Sequence, residues 1–455
     1  MLNAFEYRDF RLIWISSMAA SFGMQMQIVA RGWLTYDITG SALALSGVMI
    51  AFMAPSMVIS PIGGVIADRF DKKPVMIASQ TLNAIATGIF ACIIFFGWVN
   101  YWHFIYFGLI NGTVLALSMP ARSTIVPEIV GPKNLTNAMM LTSSTYNAAR
   151  ILGPTIAGLL IGWFAAGDTT STTGVGLVFF CITGLYLGSV VWTILLDFRG
   201  EPQRQHNPPV WDDIVEAIQF TWHDKVVKGL IWIGLVPMSF GFAPTFLMPV
   251  YNAELLSNRP EDYGFLLTGM GVGALSGSLI FAQAGDLRRK GRTLFISSYF
   301  WCAALVGFSL CTTMFSAVIA LFFVGLAYSA MGSLNMSMLQ LAVPAEMRGR
   351  VMSIWWTVHG LMPLGIIPIA WIAEAFSIRT AMLVSALLVG GTSLLFRFMY
   401  PEVAKVRSGH TDHPIPPAET TVTTAAPPSS GTSPAPEFTN GSDNTASVQA
   451  SRNSS

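Results

Sequence analysis

About twenty residues at a time, the chain runs almost without charge and then turns on a short polar stretch, and it does so twelve times. The apolar runs fall near residues 12–36, 42–67, 75–98, 102–120, 135–166, 174–196, 227–248, 265–284, 293–311, 317–341, 351–372 and 381–399. At a rise of about 1.5 Å per residue, a helix of this length spans a hydrocarbon core about 30 Å thick. Backbone donors and acceptors inside lipid need partners within the segment, so runs this long read as helices. Composition agrees, with 53% hydrophobic and 11% charged residues, where a soluble domain carries about 25% charged. The expectation is an all-α membrane protein of twelve transmembrane helices.

A net charge of +1 gives no reason to expect a nucleic-acid partner. No zinc-ligand spacing, Walker loop, nucleotide-binding glycine fingerprint or nucleophile elbow appears, so no metal, cofactor or enzymatic activity is expected. Cys92, Cys181, Cys302 and Cys311 all lie in apolar runs and read as small buried residues, not disulfides. The N-terminus is short and polar and the first run is long, so no cleavable signal peptide is expected.

The most informative turn is Gly64-Val65-Ile66-Ala67-Asp68-Arg69-Phe70-Asp71-Lys72-Lys73-Pro74. Surface lysines between two spans are ordinary, but Asp68 closes a helix where the macrodipole disfavours a carboxylate. It needs a partner, such as Arg69 or the N-terminus of another helix. Gly64, one turn earlier on the same face, would let such a helix approach closely. This pattern, Gly-x-x-x-Asp-Arg-x-x-Lys-Lys between the second and third spans, resembles the signature loop of the major facilitator superfamily of secondary transporters. One departure is Asp71, where the family usually carries glycine. The resemblance covers about residues 5–401 and implies two pseudo-symmetric six-helix bundles around a shared cavity. It also implies that the hairpin docks at the start of the eleventh span, bringing Asp68 to residues 346–350 with Arg348 and Arg350.

Internal repetition points the same way. Leu12-Ile13-Trp14-Ile15 recurs as Leu230-Ile231-Trp232-Ile233, Ser21-Phe22-Gly23 as Ser239-Phe240-Gly241, Asp68 falls opposite Asp286 and Glu128 opposite Glu346, all at one offset of 218 residues (230 − 12). Duplicated halves of this kind build rocking-bundle carriers with the site at their interface. The sequence divides into residues 1–197, a first bundle; 198–226, a linker with an amphipathic helix; 227–400, a second bundle; and 401–455, a tail. In the linker, Trp211, Ile214, Val215, Ile218 and Trp222 recur at helical spacing, and this stripe suits either the membrane surface or the face of the bundle. The tail, rich in Ser, Thr, Pro and Ala, is too polar to offset the entropy of ordering and is expected to be disordered. Nearly all loop lysines and arginines fall on one side, so both termini are expected in the cytoplasm of a bacterial cell, with the chain in its plasma membrane.

Ionisable residues inside spans mark function by default. Arg31 follows Gly23 and Gln27 at four-residue intervals, a polar stripe on the first helix that reads as cavity lining or as a snorkelling cation. Arg150 lies deeper, near Asn147 and the run Gly153-Pro154-Thr155-Ile156-Ala157-Gly158, which resembles the antiporter signature of drug-efflux members. Packing around small residues explains that run equally well. Phe240 and Asn335 are neutral candidates for the cavity wall, beside Met24, Phe242 and Tyr328. His359, beside Trp355 and Trp356, is the candidate for proton coupling. No Asp or Glu falls mid-span in the first, fourth, seventh or tenth helices.

The expected function is secondary active export of a small amphipathic, neutral or anionic molecule. Gly64, Asp68, Arg69, Lys72, Lys73, Asp286, Arg348 and Arg350 would act as a cytoplasmic gate. Val126-Pro127-Glu128 and the segment 343–352 look most like the bacterial efflux branch that holds enterobactin exporters and macrolide-efflux relatives, which implies siderophore or drug export, with protons as the coupling ion. Metabolite uptake, lysolipid flipping, and a non-transporting sensor or scaffold stay open as alternatives. The expected partners are the substrate and the bilayer, with the chain acting as a monomer.

Overall fold

The computed structural model describes residues 3–165, 172–200, 218–257, 259–283, 289–344, 347, 351–352, 354–355 and 360–406, and among these there is no strand. Helices α1 (Arg8–Thr39), α2 (Ala42–Arg69), α3 (Lys72–Phe95), α4 (Tyr101–Ala165) and α5 (Thr172–Ile194) form the first half. The second half contains α6 (Lys225–Phe246), α7 (Met248–Leu255), α8 (Pro260–Gln283), α9 (Lys290–Ser309), α10 (Met314–Ala342), α11 (Ile366–Ala375) and α12 (Ile378–Met399). Eight described helices are long and apolar enough to cross a membrane. The other four expected crossings fall on α2, the first arm of α4, α9 and α11.

Local chemistry sets the turns between them. Gly40, at φ 59°, ends α1 and donates its N–H to the Tyr36 carbonyl at 2.7 Å, the left-handed stop that glycine takes without steric cost. Ser41 then caps α2 by accepting from Ala44 N–H at 3.2 Å. Asp224 caps α6, accepting from the N–H groups of Val226 and Val227 at 2.8 and 2.9 Å. A reciprocal Thr313 and Ser316 box opens α10. Asp71 sits at φ −56°, ψ 134°, backbone any residue adopts, so its replacement of the family glycine needs no strain.

Two expectations change. Pro120 does not end the fourth span: α4 carries through it, so Arg122 sits inside a helix and not in a surface loop. The break comes at Gly131 (φ 66°, ψ 174°), dividing α4 into arms 101–130 and 132–165. Proline costs one backbone bond, whereas only glycine reaches the Gly131 conformation easily, so the chain turns at the glycine. The cysteines also differ in part, since Cys181 is exposed while the other three are half-buried; all four are free.

Each half has its own packing centre. In the first, Phe90 stacks on Phe107 (centroids 4.3 Å apart) and meets Phe104 and Phe179 edge-on. In the second, Trp301, Tyr328 and Phe242 lie in contact, with centroids 5.4 Å apart in each pair along the chain Trp301, Tyr328, Phe242. One position of the repeat bonds the last helix of its half in both copies. Gln80 on α3 bonds Ser189 and Thr193 of α5, and Ser298, 218 residues on (298 − 80), bonds Ser393 of α12. Leu82, Ile85 and Ile89 stand exposed along one face of α3, as lipid contact requires. Of the linker, residues 218–223 are helical. Ile218 and Trp222 border an apolar hollow of about 240 Å³ against Ile231, Trp232, Leu235 and Ile354, so this end of the linker lies on the bundle. The earlier part of the linker, residues 201–217, and the tail beyond Val406 lie outside the described residues.

Candidate functional site

The hairpin between α2 and α3 sits at the face that carries the chain termini. Gly64 and Asp68 lie in the last turns of α2, with side chains outside the described set, and Arg69 is exposed. Lys72 turns inward: it is 4% exposed, its ammonium pairs with Glu128 of α4, and its N–H donates to the Gly200 carbonyl at 3.0 Å. Lys73 donates its ammonium to the Leu196 carbonyl and its N–H to that of Arg199 at 3.1 Å. Gly200, at φ 69°, lets the exit of α5 close on Lys72, since a Cβ there would stand 3.0 Å from the lysine stem. Both lysines therefore strap α3 to α4 and α5 within one half. Asp286, Arg348, Arg350 and His359 lie outside the described residues.

Further in, the α1 stripe faces its own half. Gly23 lies against the Tyr186 ring of α5, where a Cβ would meet Cζ at 3.3 Å, and Gln27 Oε1 accepts from Tyr186 Oη at 3.1 Å. Arg31 is 1% exposed, so it does not snorkel to water. Its guanidinium lies 4.7 Å from the Phe52 ring centroid, Nη2 reaches Met49 Sδ at 3.9 Å, and Nε has no hydrogen-bond partner. Beside this stripe opens a small cleft of about 60 Å³ inside the first half. Met24, Phe52, Gln80, Asn83, Asn111, Arg122 and Tyr186 are among its walls. Arg122 was missed in the sequence because it follows Pro120; a helical reading continued through the proline would have found it.

The remaining candidates separate. Arg150, on the second arm of α4, places its guanidinium 5.8 Å from the ring centroid of Tyr328 on α10, a cation–π contact across the halves. Asn147 is half-buried and donates to the Ser143 carbonyl at 3.0 Å. Phe240 is half-buried, and its carbonyl accepts from Ser385 Oγ at 2.6 Å. Asn335 is fully buried, donating to the Leu230 carbonyl at 2.9 Å and accepting from Trp355 Nε1 at 3.2 Å, so it ties α10 to α6.

Contacts between the halves gather at the face opposite the termini. Tyr36 Oη donates to Glu254 at 3.3 Å. Glu374, at the end of α11, accepts from Ser41 Oγ at 2.9 Å and from Leu43 N–H at 3.1 Å, so its carboxylate serves the N-terminus of α2. Gly158 and Gly162 receive the start of α8: a Cβ on Gly158 would stand 2.6 Å from the Pro260 carbonyl oxygen, and one on Gly162 would overlap the Glu261 carboxylate. Thr155 bonds Thr268, which also donates to the Ile151 carbonyl at 2.9 Å. The run that resembles an antiporter signature thus packs the two halves together. At the terminal face Arg8 pairs with Asp197 and Lys72 with Glu128, both within the first half; the cross-half partners expected there, Asp286, Arg348 and Arg350, lie outside the described residues.

Comparison with known proteins agrees with this architecture. The chain is 26% identical over 393 residues to the multidrug efflux pump Tap of Mycolicibacterium fortuitum, covering 83% of this chain and 92% of that one. It is 23% identical to macrolide efflux protein A of Streptococcus pyogenes, covering 84% and 95% of the two chains. A solved D-xylose–proton symporter superposes with a TM-score of 0.67 at 13% identity, covering 88% of this chain and all of that one, which shows the fold alone. The model of a family described as transmembrane secretion effector matches residues 2–429, and the chain belongs to that family of major facilitator transporters, which are membrane carriers and not enzymes.

Proposed function

We propose that the chain exports small amphipathic molecules, neutral or anionic and drug-like or siderophore-like, by alternating access driven by proton antiport. The observation that carries this reading is the set of hydrogen bonds that join the halves at the face opposite the termini. There Tyr36 bonds Glu254, and Glu374 bonds Ser41 and Leu43. With the termini in the cytoplasm, as the placement of basic residues argues, these bonds form an outer gate. A carrier of this kind needs two packings of nearly equal free energy, and the far-face bonds are few and partly exposed, suited to breaking in each cycle. The efflux pumps among its relatives support the outward direction.

Proteoliposomes holding the purified chain and a labelled macrolide aglycone, which lacks the amino sugar and is neutral, test this directly. Macrolide transport that follows an imposed pH gradient and stops when an ionophore collapses it is the expected result. Transport indifferent to the gradient removes proton antiport, and no transport of any amphipathic probe removes the carrier reading.

A further inference from the structure

The cleft in the first half has an unusual inventory. Its described walls carry one cation, Arg122, and no carboxylate. Among the described residues the ion pairs are Arg8 with Asp197 and Lys72 with Glu128, and neither involves Arg122 or Arg31.

Three side-chain amide acceptors around the cleft are already in use. Asn83 Oδ1 accepts from Asn111, Gln27 Oε1 from Tyr186, and Gln80 Oε1 from Ser189 at 3.0 Å and Thr193 at 3.1 Å. Gln27 Nε2 and Arg31 Nε are buried without partners but do not line the cleft; the charged donor that does line it is Arg122. A buried donor with no acceptor is costly, and more so when charged. Such a set is satisfied by a ligand that brings acceptors and negative charge. Met24, Phe52, Met76, Val114 and Leu115 supply apolar wall beside the polar one, so the ligand carries an apolar body as well.

Resting on the carrier reading above and narrowing it, we propose that this cleft binds the carboxylate end of an amphipathic organic anion. Arg122 takes the carboxylate as a bidentate partner, the amide ladder of Gln80, Asn83 and Asn111 borders it, and the apolar wall holds the adjoining body. The site lies within one half, so it is present whether or not the halves have rocked.

The experiment uses the full chain in nanodiscs and two probes that differ in charge alone, dansylglycine and its neutral amide, dansylglycinamide, followed by dansyl emission. Wild type should prefer the acid by at least about tenfold, the worth of one charge-assisted bond. Arg122→Gln should bring that ratio close to one, and Arg122→Lys should keep part of it. Because the readout is a ratio within each protein, a general loss of stability does not imitate the result. Equal affinity of wild type for the two probes, or a preference that survives Arg122→Gln, overturns the site while leaving the macrolide flux assay untouched. Displacement of dansylglycine by chloride at a lower concentration than by acetate would assign the donors to an inorganic anion and overturn the carboxylate reading.

Discussion

Two ion pairs at the terminal face differ mainly in how much water reaches them. The side chains of Arg8 and Asp197 are 56% and 77% exposed, those of Lys72 and Glu128 4% and 22%. Screening leaves an exposed pair about 0–1 kcal/mol, whereas removing one member of a buried pair strands the other at about 3–5 kcal/mol. Lys72→Met should therefore lower the melting temperature in detergent clearly, Arg8→Met hardly at all, and Lys72→Met with Glu128→Gln should recover part of the loss. Equal effects of the two single changes would show that Lys72 is not held as described. At this scale the sequence was uneven. Arg31 stood out because it interrupts an apolar run, while Arg122 hid behind Pro120, which reads locally as the end of a helix although α4 continues through it. The engagement of Asn335 with Leu230 and Trp355 could not be read at all, because it depends on three helices meeting.

Among the helices, the spans and their caps were legible because apolar length and cap residues are local properties. Interhelical distance was not. The run from Gly153 to Gly158 suited both a signature and simple packing, and its contacts with α8 now show what the missing side chains admit. A Cβ at Gly158 meets backbone, the Pro260 carbonyl oxygen, which cannot rotate aside. Gly158→Leu should push α8 away at a cost of about 1–3 kcal/mol and loosen the closed face. A cysteine placed by Thr155→Cys should then react faster with a water-soluble maleimide, by about fivefold or more. An unchanged rate would mean that the two helices separate elsewhere.

For the molecule as a whole, the offset of 218 residues foretold two like halves, but not which surfaces close. That choice depends on the difference between two assembled states and leaves no trace in apolar periodicity. The tail is a simpler matter. Its composition gives it nothing to pack with, so deleting residues 407–455 should leave macrolide flux in proteoliposomes unchanged, and a dead truncation would assign the tail a role in transport. One contact carries the repeat further. Tyr36 and Glu254 are counterparts at the same offset (254 − 36), and they touch each other. A position that meets its own counterpart lies beside the pseudo-twofold axis, where a dimer of identical subunits would have to set tyrosine against tyrosine or carboxylate against carboxylate. Joining both copies in one polypeptide removes that restriction, so a hydroxyl can be given to one side and its acceptor to the other.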